Sequence, residues 1–321
     1  MKAIAAAWPE RVSEAAYRDG DWMLRIDDTW FAWANGRLLP EVDRARWQEF
    51  VPLAFYDYSR GLPPLETPDA ATAARLRQSV RDAANNPPRR SEAFLGTLLR
   101  AEDRQATEAH LVRMEVGGFS VTVHESLRAP LTAVSERLRA LRASDPVVAA
   151  FLRGLSEMNG YNYRYVEGTR SRSLHSYGLA VDLIPRSYGG KQAYWQWAMS
   201  KVPDWWTIPY EKRWMVPLAV IEAFEGQGFV WGGKWLYFDT MHFEFRPDIL
   251  LRAGQAGRPA VPAEDPQSCR VSEGLEELVR ALLEGRGGGP VVEPHNHAEP
   301  AVQGLVQERG EEPQVRPAVD P

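Results

Sequence analysis

The sequence predicts an α+β fold in which helices flank a small antiparallel β-sheet. Short segments at residues 119–123 and 179–184 have the apolar character and alternation of strands. Between and after them, residues 130–141 and 217–224 carry apolar side chains at helical spacing. Strands and helices are thus mixed along the chain, as in a single α+β domain.

Composition limits what kind of protein this is. The chain has 321 residues, of which 44% are hydrophobic and 25% charged, enough for one sizeable domain or two modest ones. Its formal net charge of -5 gives no broad attraction to nucleic acid, so we expect no nucleic-acid partner. No segment is apolar enough for a membrane span. The single Cys269 leaves His and carboxylates as the ligands for any metal site.

The first residues bear on localisation. Residues 1–8 begin like a secretory signal, but Pro9, Glu10 and Arg11 interrupt the apolar stretch before it reaches the usual length. The sequence pattern at this end therefore leaves both a cytoplasmic and an exported protein open.

Residues 1–110 are predicted to form an accessory region. Within residues 21–39, Asp27-Asp28 and Asn35-Gly36 are turn signals between aromatic-rich segments, which predicts a β-hairpin or small meander. Residues 67–110 are rich in Ala and Arg and are interrupted by two adjacent prolines, which predicts helices joined by a loop.

Residues 111–252 are predicted to form the main domain. After the strand at 119–123, Pro130 suits the start of a helix that continues to Leu141. Asp145 is placed to cap a second helix. The residues that we expect on the buried face of that helix are Val147, Phe151, Leu152 and Leu155.

The rest of this domain contains the strands of the candidate site. Residues 161–166 and 179–184 are predicted strands, and residues 217–224 a helix closed by glycines. Residues 231–235 form a glycine loop before a strand at 241–245. From residue 253 to 321 the composition shifts to Gly, Pro and Glu, which predicts a disordered tail.

The strand at residues 179–184 carries one carboxylate. Because side chains alternate between faces, Ala180, Asp182 and Ile184 point the same way, and Asp182 lies in mid-sheet. A carboxylate there costs several kcal/mol unless it is paired or binds a metal. His175 precedes it across Gly178, where the chain can turn and bring the imidazole to the carboxylate. The alternative is an ion pair of Asp182 with Arg164 or Arg172.

A second segment supplies another imidazole. His242 and Glu244 share a face of the predicted strand at 241–245, with Phe243 and Phe245 toward the core. Asp239 would lie on the wrong side of a regular strand, so we expect it in a loop or bulge from which it can turn toward the same site. A catalytic zinc is typically bound by three protein ligands, such as two imidazoles and one carboxylate, and keeps a fourth position open for water. Other divalent ions accept the same donors.

Other candidate residues fit simpler roles. His110 and His124 have no partner at ligand spacing, so we expect structural or surface roles for them. His295 and His297 could bind a metal adventitiously. The aromatic side chains between residues 188 and 237 could line a groove, but packing is the favoured explanation.

These motifs resemble the D-alanyl-D-alanine carboxypeptidase family of zinc peptidases, family M15. The residues that carry the resemblance over about 112–247 are Ser173, His175, Gly178, Ala180, Asp182, Trp231, Gly232, Gly233, Trp235, Asp239, His242 and Phe243. The Asp-x-x-His form is similar to the branch that includes L-alanyl-D-glutamate endopeptidases. The resemblance implies a fold of the hedgehog and D-Ala-D-Ala peptidase type.

The resemblance also implies residue roles. The implied zinc ligands are His175, Asp182 and His242. Asp239 would be the general base that activates water and then protonates the leaving amine. Arg164 and Ser173 would bind substrate, with Arg170 and Arg172 close enough in sequence to be alternatives to Arg164.

The function that follows from the resemblance is zinc-dependent hydrolysis of peptide bonds in peptidoglycan stem peptides. The bond would be the terminal D-Ala linkage of a carboxypeptidase, or alternatively the L-Ala-D-Glu bond of an endolysin-like endopeptidase. A third possibility is a non-catalytic wall-binding module that keeps the zinc fold. Peptidoglycan as the partner predicts a location in the cell envelope or periplasm.

Overall fold

A computed structural model describes residues 1–166 and 168–254. It contains helices and small antiparallel sheets, which confirms the predicted class of fold at this level. Residues 255–321 lie outside the described residues, so the predictions for the tail, including His295 and His297, fall outside them too.

The chain begins with a helix and a four-stranded antiparallel meander, which confirms the predicted turn region. Helix α1 is followed by strands β1 to β4, paired in sequence order. Asp27 and Asn35 adopt positive φ angles at the two predicted turns. Strand β1 is an edge strand with mostly exposed residues, and its sequence pattern did not predict it. The bounds are α1 Lys2–Ala7, β1 Val12–Arg18, β2 Asp21–Ile26, β3 Thr29–Ala32 and β4 Leu39–Pro40.

Three helices follow, as expected for residues 67–110. The side chains of Asp69 and Asp103 accept hydrogen bonds from backbone amides in the first turns of the first and third of them. Their bounds are α2 Ala70–Asn85, α3 Ala93–Leu99 and α4 Arg104–Ala109.

A β-hairpin and two helices come next. Strands β5 (Leu111–Val116) and β6 (Phe119–His124) pair around the Gly117-Gly118 turn. Helix α5 (Arg128–Ser144) begins two residues before the predicted start at Pro130. The proline still lies in the first turn, where its missing N–H is not needed.

Helix α6 (Pro146–Gly154) has the predicted cap, and of the residues expected to be buried Leu152 and Leu155 are buried but Val147 is not. The Asp145 carboxylate accepts hydrogen bonds from the amides of Val147 and Val148. Val147 is 63% exposed, whereas Val148 and Leu152 are buried. The prediction for Val147 is therefore wrong by one position, because the helix packs on the i and i+4 row of Val148 and Leu152.

The central sheet is antiparallel with strand order β7-β8-β10-β9. Asp182 of β8 lies directly opposite His242 of β10 on one side and Asn159 of β7 on the other. The mid-sheet position predicted for Asp182 is thus confirmed. The bounds are β7 Leu155–Asn159, β8 Ala180–Pro185, β9 Phe229–Trp231 and β10 His242–Phe245.

The prediction of a strand at residues 161–166 is wrong. This segment makes only an isolated bridge between Tyr165 and Arg172. Its amides bond elsewhere: the Asn162 N–H donates to the His175 carbonyl and the Arg164 N–H to the Ser176 hydroxyl. The apolar alternation here reflects an extended segment that wraps the His175 turn rather than a sheet strand.

Three further helices complete the described part of the chain: α7 Trp195–Met199, α8 Leu218–Glu225 and α9 Pro247–Arg252. Helix α8 confirms the predicted helix at 217–224, with Pro217 just before its first turn. Helix α9 was not predicted, and it packs against α1 from the other end of the chain.

Apolar packing joins the two ends of the described chain. The main core contains Leu24 and Phe31 from the meander together with Val181 and Phe243 from the central sheet. A boundary between accessory region and main domain near residue 110 remains a prediction. Among residues 1–166 and 168–254, no helix combines the length and apolar character that a bilayer crossing requires.

Candidate metal centre

His175 is held in a short 3₁₀-helical turn, Leu174–Tyr177, that enters strand β8. The Ser173 hydroxyl caps this turn by accepting a hydrogen bond from the His175 amide at 3.1 Å. Gly178 ends the turn with a φ of +68°, a left-handed conformation that glycine adopts at little cost. Ser173 and Gly178 thus set the direction from which the imidazole meets the sheet.

Three side chains converge at one point on the central sheet. Nε2 of His175 lies 3.2 Å from an oxygen of Asp182, and Nδ1 of His242 lies 2.9 Å from the other oxygen. The two imidazole nitrogens are 3.2 Å apart. One ligand atom from each residue fits within 4.8 Å of the others. The structure therefore brings together all three predicted metal ligands.

The outer nitrogens of both imidazoles face acceptors. Nδ1 of His175 donates to the Gly160 carbonyl at 2.5 Å, which leaves Nε2 with its lone pair toward the site. Nε2 of His242 faces the Glu244 carboxylate at 3.5 Å, which leaves Nδ1 toward the site. Two lone pairs and a carboxylate therefore point at each other, an arrangement that a divalent cation satisfies. The donor set fits zinc.

Electrostatics keep the Asp182 carboxylate ionised. Burial alone would raise its pKa, but the charges and hydrogen bonds of His175 and His242 outweigh burial and hold the pKa of Asp182 well below its usual range. For His242, burial opposes the charged form, yet the Asp182 and Glu244 carboxylates raise its pKa to about 10. The carboxylates around His242 therefore favour a positive charge between the three side chains.

Asp239 lies in the loop before β10, as predicted. Its carboxylate accepts a hydrogen bond from the Met241 amide, and its backbone bridges to Tyr194. It lines the same cavity as His175 and Asp182 but is not part of their close group. Burial, reinforced by the charge of Asp182, raises the pKa of Asp239 to about 7. A carboxyl of this kind can take up and release a proton near neutral pH.

A cavity of about 380 Å³ opens over these residues. Arg164 is the arginine in its wall, and burial lowers the pKa of Arg164 while Asp182 and Asp239 favour its charged form. The complete lining is Glu157, Asn159, Gly160, Tyr161, Asn162, Arg164, His175, Asp182, Ile184, Tyr188, Trp197, Asp239 and Met241.

The two alternatives to Arg164 lie elsewhere. Arg172 is buried and donates to the carbonyls of Ala101 and Ser176 and to the Thr107 hydroxyl. Arg170 bonds the Pro87 carbonyl at the surface. Of the three arginines, only Arg164 lines the cavity, so the structure agrees with the residue preferred from the sequence.

Ser173 is placed differently from Arg164. It is fully buried, and the described lining of the cavity does not include it. Its observed contact is the cap on the His175 turn. The structure thus gives Ser173 a positioning role, and a contact with substrate remains a prediction.

Most of the aromatic stretch forms a second core, as the favoured explanation expected. Trp195, Trp205 and Tyr237 are buried and pack ring against ring. Tyr188 and Trp197 instead reach the cavity wall, with their rings 5.9 Å apart. Both explanations of the aromatic residues therefore apply, each to different side chains.

His110 and His124 have the simple contacts that were expected. His124 is buried, with its ring nitrogens at 3.0 Å from the Leu99 carbonyl and 2.9 Å from the Ser126 hydroxyl. His110 contacts Glu125 at 2.8 Å. Neither lies with the metal ligands.

Sequence reasoning missed the backbone partner of His175. The Gly160 carbonyl comes from the residue after β7, far from any motif. No motif marks Gly160 in the sequence, and only the structure shows that a Cβ atom there would lie 2.2 Å from the Thr122 carbonyl oxygen. Only glycine therefore lets the chain pass this close to β6.

A His-His-Asp donor set beside a buried carboxyl in an open cavity is an arrangement typical of metal-dependent hydrolases. Residues 167–245 match the D-alanyl-D-alanine carboxypeptidase family, which confirms the resemblance recognised from the motifs. The chain therefore carries a peptidase-family segment, and that segment contains all three predicted ligands and Asp239. Residues 1–55 match a domain of unknown function. No curated protein and no solved structure matches the chain.

Proposed function

We propose that this protein is a zinc-dependent peptidase that hydrolyses peptide bonds in bacterial peptidoglycan stem peptides, as a D-Ala-D-Ala carboxypeptidase. The observation that carries the proposal is the convergence of His175, Asp182 and His242 beside a cavity that is lined by His175, Asp182 and Asp239. The substrate places the protein in the cell envelope or periplasm. We also propose the hedgehog and D-Ala-D-Ala peptidase type of fold for the domain.

His175, Asp182 and His242 would hold the zinc ion. When bound, zinc supplies a Lewis acid that polarises the scissile carbonyl and makes water more acidic. The contacts of His175 with Gly160 and of His242 with Glu244 keep both imidazoles oriented toward it.

Asp239 would move the protons. Its buried position and a pKa of about 7 allow it to accept a proton from the attacking water and to pass that proton to the leaving amine. The Met241 amide, which donates to one carboxylate oxygen, limits the directions in which the side chain can turn.

Arg164 would bind the negative end of the substrate. Arg164 lines the cavity; burial lowers the pKa of Arg164, and the charges of Asp182 and Asp239 oppose that shift and favour the charged form. A guanidinium binds a terminal carboxylate with two parallel hydrogen bonds, which suits a substrate that ends at the leaving D-Ala. This supports the carboxypeptidase over an enzyme that cuts within the chain.

The alternative activity is that of an L-Ala-D-Glu endopeptidase. It is favoured by Asp239 itself, because many carboxypeptidases of the family have Glu at this place, whereas the Asp-x-x-His form resembles the endopeptidase branch. In that case Arg164 would polarise the scissile carbonyl rather than bind a terminal carboxylate.

The test is incubation of the protein with purified muropeptides, with and without a chelator, and mass analysis of the products. Loss of one alanine from the stem supports the carboxypeptidase, and cleavage between L-Ala and D-Glu supports the endopeptidase. Zinc binding without any product would instead indicate the non-catalytic wall-binding module.

Two variants separate metal binding from proton transfer. We expect Asp239→Ala to retain zinc and to lose about 10²- to 10⁴-fold in turnover, as removal of a general base does. We expect His175→Ala to lose the metal. Full activity of Asp239→Ala would show that another group is the base.

A further inference from the structure

We propose that Glu244 positions the His242 imidazole for metal binding, and that Arg246, Asp248 and the N-terminal region hold Glu244 in place. The inference rests on the proposed metal site and adds a role for residues outside the peptidase-family segment. The evidence for it is a chain of ionic contacts and hydrogen bonds among four buried side chains, those of His242, Glu244, Arg246 and Asp248.

Glu244 lies beside the His242 ring, on the side away from the nitrogen that faces the metal site. It is two residues after His242 on β10, so both side chains point to the same face of the sheet. Its Oε2 atom lies 3.5 Å from Nε2 of His242, and its side chain is only 13% exposed. A carboxylate at this nitrogen favours the tautomer with the proton on Nε2, which leaves Nδ1 free to bind the cation.

Arg246 compensates the charge of Glu244. Its NH1 atom lies 3.9 Å from Oε1 of Glu244. The same guanidinium binds Asp248 through two atoms, with Nε at 3.0 Å from Oδ1 and NH2 at 2.8 Å from Oδ2. Both side chains are less than a tenth exposed. Buried charges are stable only when paired, so Arg246 and Asp248 stabilise a carboxylate behind His242.

The N-terminal region completes this arrangement. NH2 of Arg246 also donates to the Ala54 carbonyl at 2.8 Å, and the guanidinium lies over the Phe55 ring at 5.2 Å. The peptidase-family segment ends at residue 245, so neither Arg246 nor Ala54 belongs to it. The segment that matches a domain of unknown function, residues 1–55, therefore contacts Arg246, the side chain that compensates the charge of Glu244.

The experiment compares two isosteric changes in full-length protein. Glu244→Gln removes the charge behind His242. Glu225→Gln is the matched control, because Glu225 is also 13% exposed and binds a cation, Lys234, but contacts no metal ligand. Zinc affinity is measured by competition with a chromophoric chelator, and the His242 tautomer by ¹H–¹⁵N NMR of the imidazole in zinc-loaded protein.

We expect Glu244→Gln to weaken zinc binding about 10- to 100-fold and to reduce the population of the Nε2–H tautomer, while Glu225→Gln changes neither. Arg246→Met should shift both readouts in the same direction, because it leaves Glu244 without its compensating charge. Should Glu244→Gln fail to fold, Glu244→Asp keeps the charge but moves it away from His242, and the same loss of affinity is expected.

The outcomes distinguish this inference from the proposed function. Wild-type zinc affinity and an unchanged His242 tautomer in Glu244→Gln would overturn the role of Glu244 while leaving the zinc site intact. A wild-type protein that binds no zinc would refute the proposed function, and this inference with it. An equal effect of Glu225→Gln would show a general cost of losing a buried charge and would also overturn it.

Discussion

Replacing Gly178 with alanine should destabilise the protein far more than the same change at another glycine with similar backbone angles. Gly178 links the His175 turn to β8 and has a φ of +68°. A Cβ atom there would lie 2.5 Å from the His124 amide nitrogen and 3.1 Å from the carbonyl carbon of Val123. Both are backbone atoms of β6 and cannot rotate away.

Two costs add at this position. A left-handed residue with a side chain costs about 1–2 kcal/mol, partly offset by the lower entropy of the unfolded alanine chain. Forcing an extra carbon into a packed site costs about 1–3 kcal/mol more. The clash also separates β6 from the Gly178 carbonyl, which now accepts a hydrogen bond from the His124 amide at 3.0 Å. We therefore expect a total of about 2–4 kcal/mol for Gly178→Ala.

The matched control is Gly190→Ala. Gly190 has a φ of +75°, but a Cβ atom there would meet nothing within 4 Å. Only the conformational cost applies, so we expect about 1 kcal/mol. Urea denaturation followed by tryptophan fluorescence gives both free energies of unfolding. Equal losses in the two variants would refute the argument that β6 crowds the His175 turn.

Three further predictions concern metal, cap and pH. Zinc at about 100 times its dissociation constant should raise the free energy of unfolding by about 2.7 kcal/mol over chelator-treated protein, and an unchanged denaturation midpoint would contradict the metal site. Asp145→Ala should lower the free energy of unfolding by about 1 kcal/mol, because it removes the cap of α6. Asp145→Asn keeps a hydrogen-bond acceptor and should lower it little, and equal losses in the two variants would rule out capping. Burial lowers the pKa of His124, despite the opposing hydrogen bond to Leu99, so its neutral form is favoured in the folded state. The contribution of neutral His124 to the free energy of unfolding should therefore be complete above the unfolded pKa of about 6.5 and should decline as the pH falls below it. His124→Gln should reduce this decline when the free energy of unfolding is measured between about pH 7 and 5.

The proposed metal ligands stand out in the sequence because local pattern and residue chemistry agree there. Asp182 interrupts an apolar strand, and His242 alternates with core phenylalanines, so each stands out as a polar group in an apolar setting. Such groups need a partner wherever they are buried. The structure supplies that partner by placing the two residues opposite each other on β8 and β10.

Predictions failed where a pattern had more than one explanation. The alternation at residues 161–166 is compatible with a strand, but its amides pair with the His175 turn instead. Val147 was placed on the buried face of α6, yet the helix buries Val148. A sequence pattern does not show which neighbouring element a helix packs against, so the buried face can be predicted one residue away from its true position.

By itself, the sequence determined the class of fold and the types and order of the proposed ligands, because residue chemistry and strand or helix periodicity are local properties. Only the tertiary structure decided which groups surround the ligands. The Gly160 carbonyl behind His175 and the Arg246 side chain beside Glu244 come from separate parts of the chain, and no spacing in the sequence connects them. These contacts depend on how distant segments pack, so they appear only when the whole chain is folded.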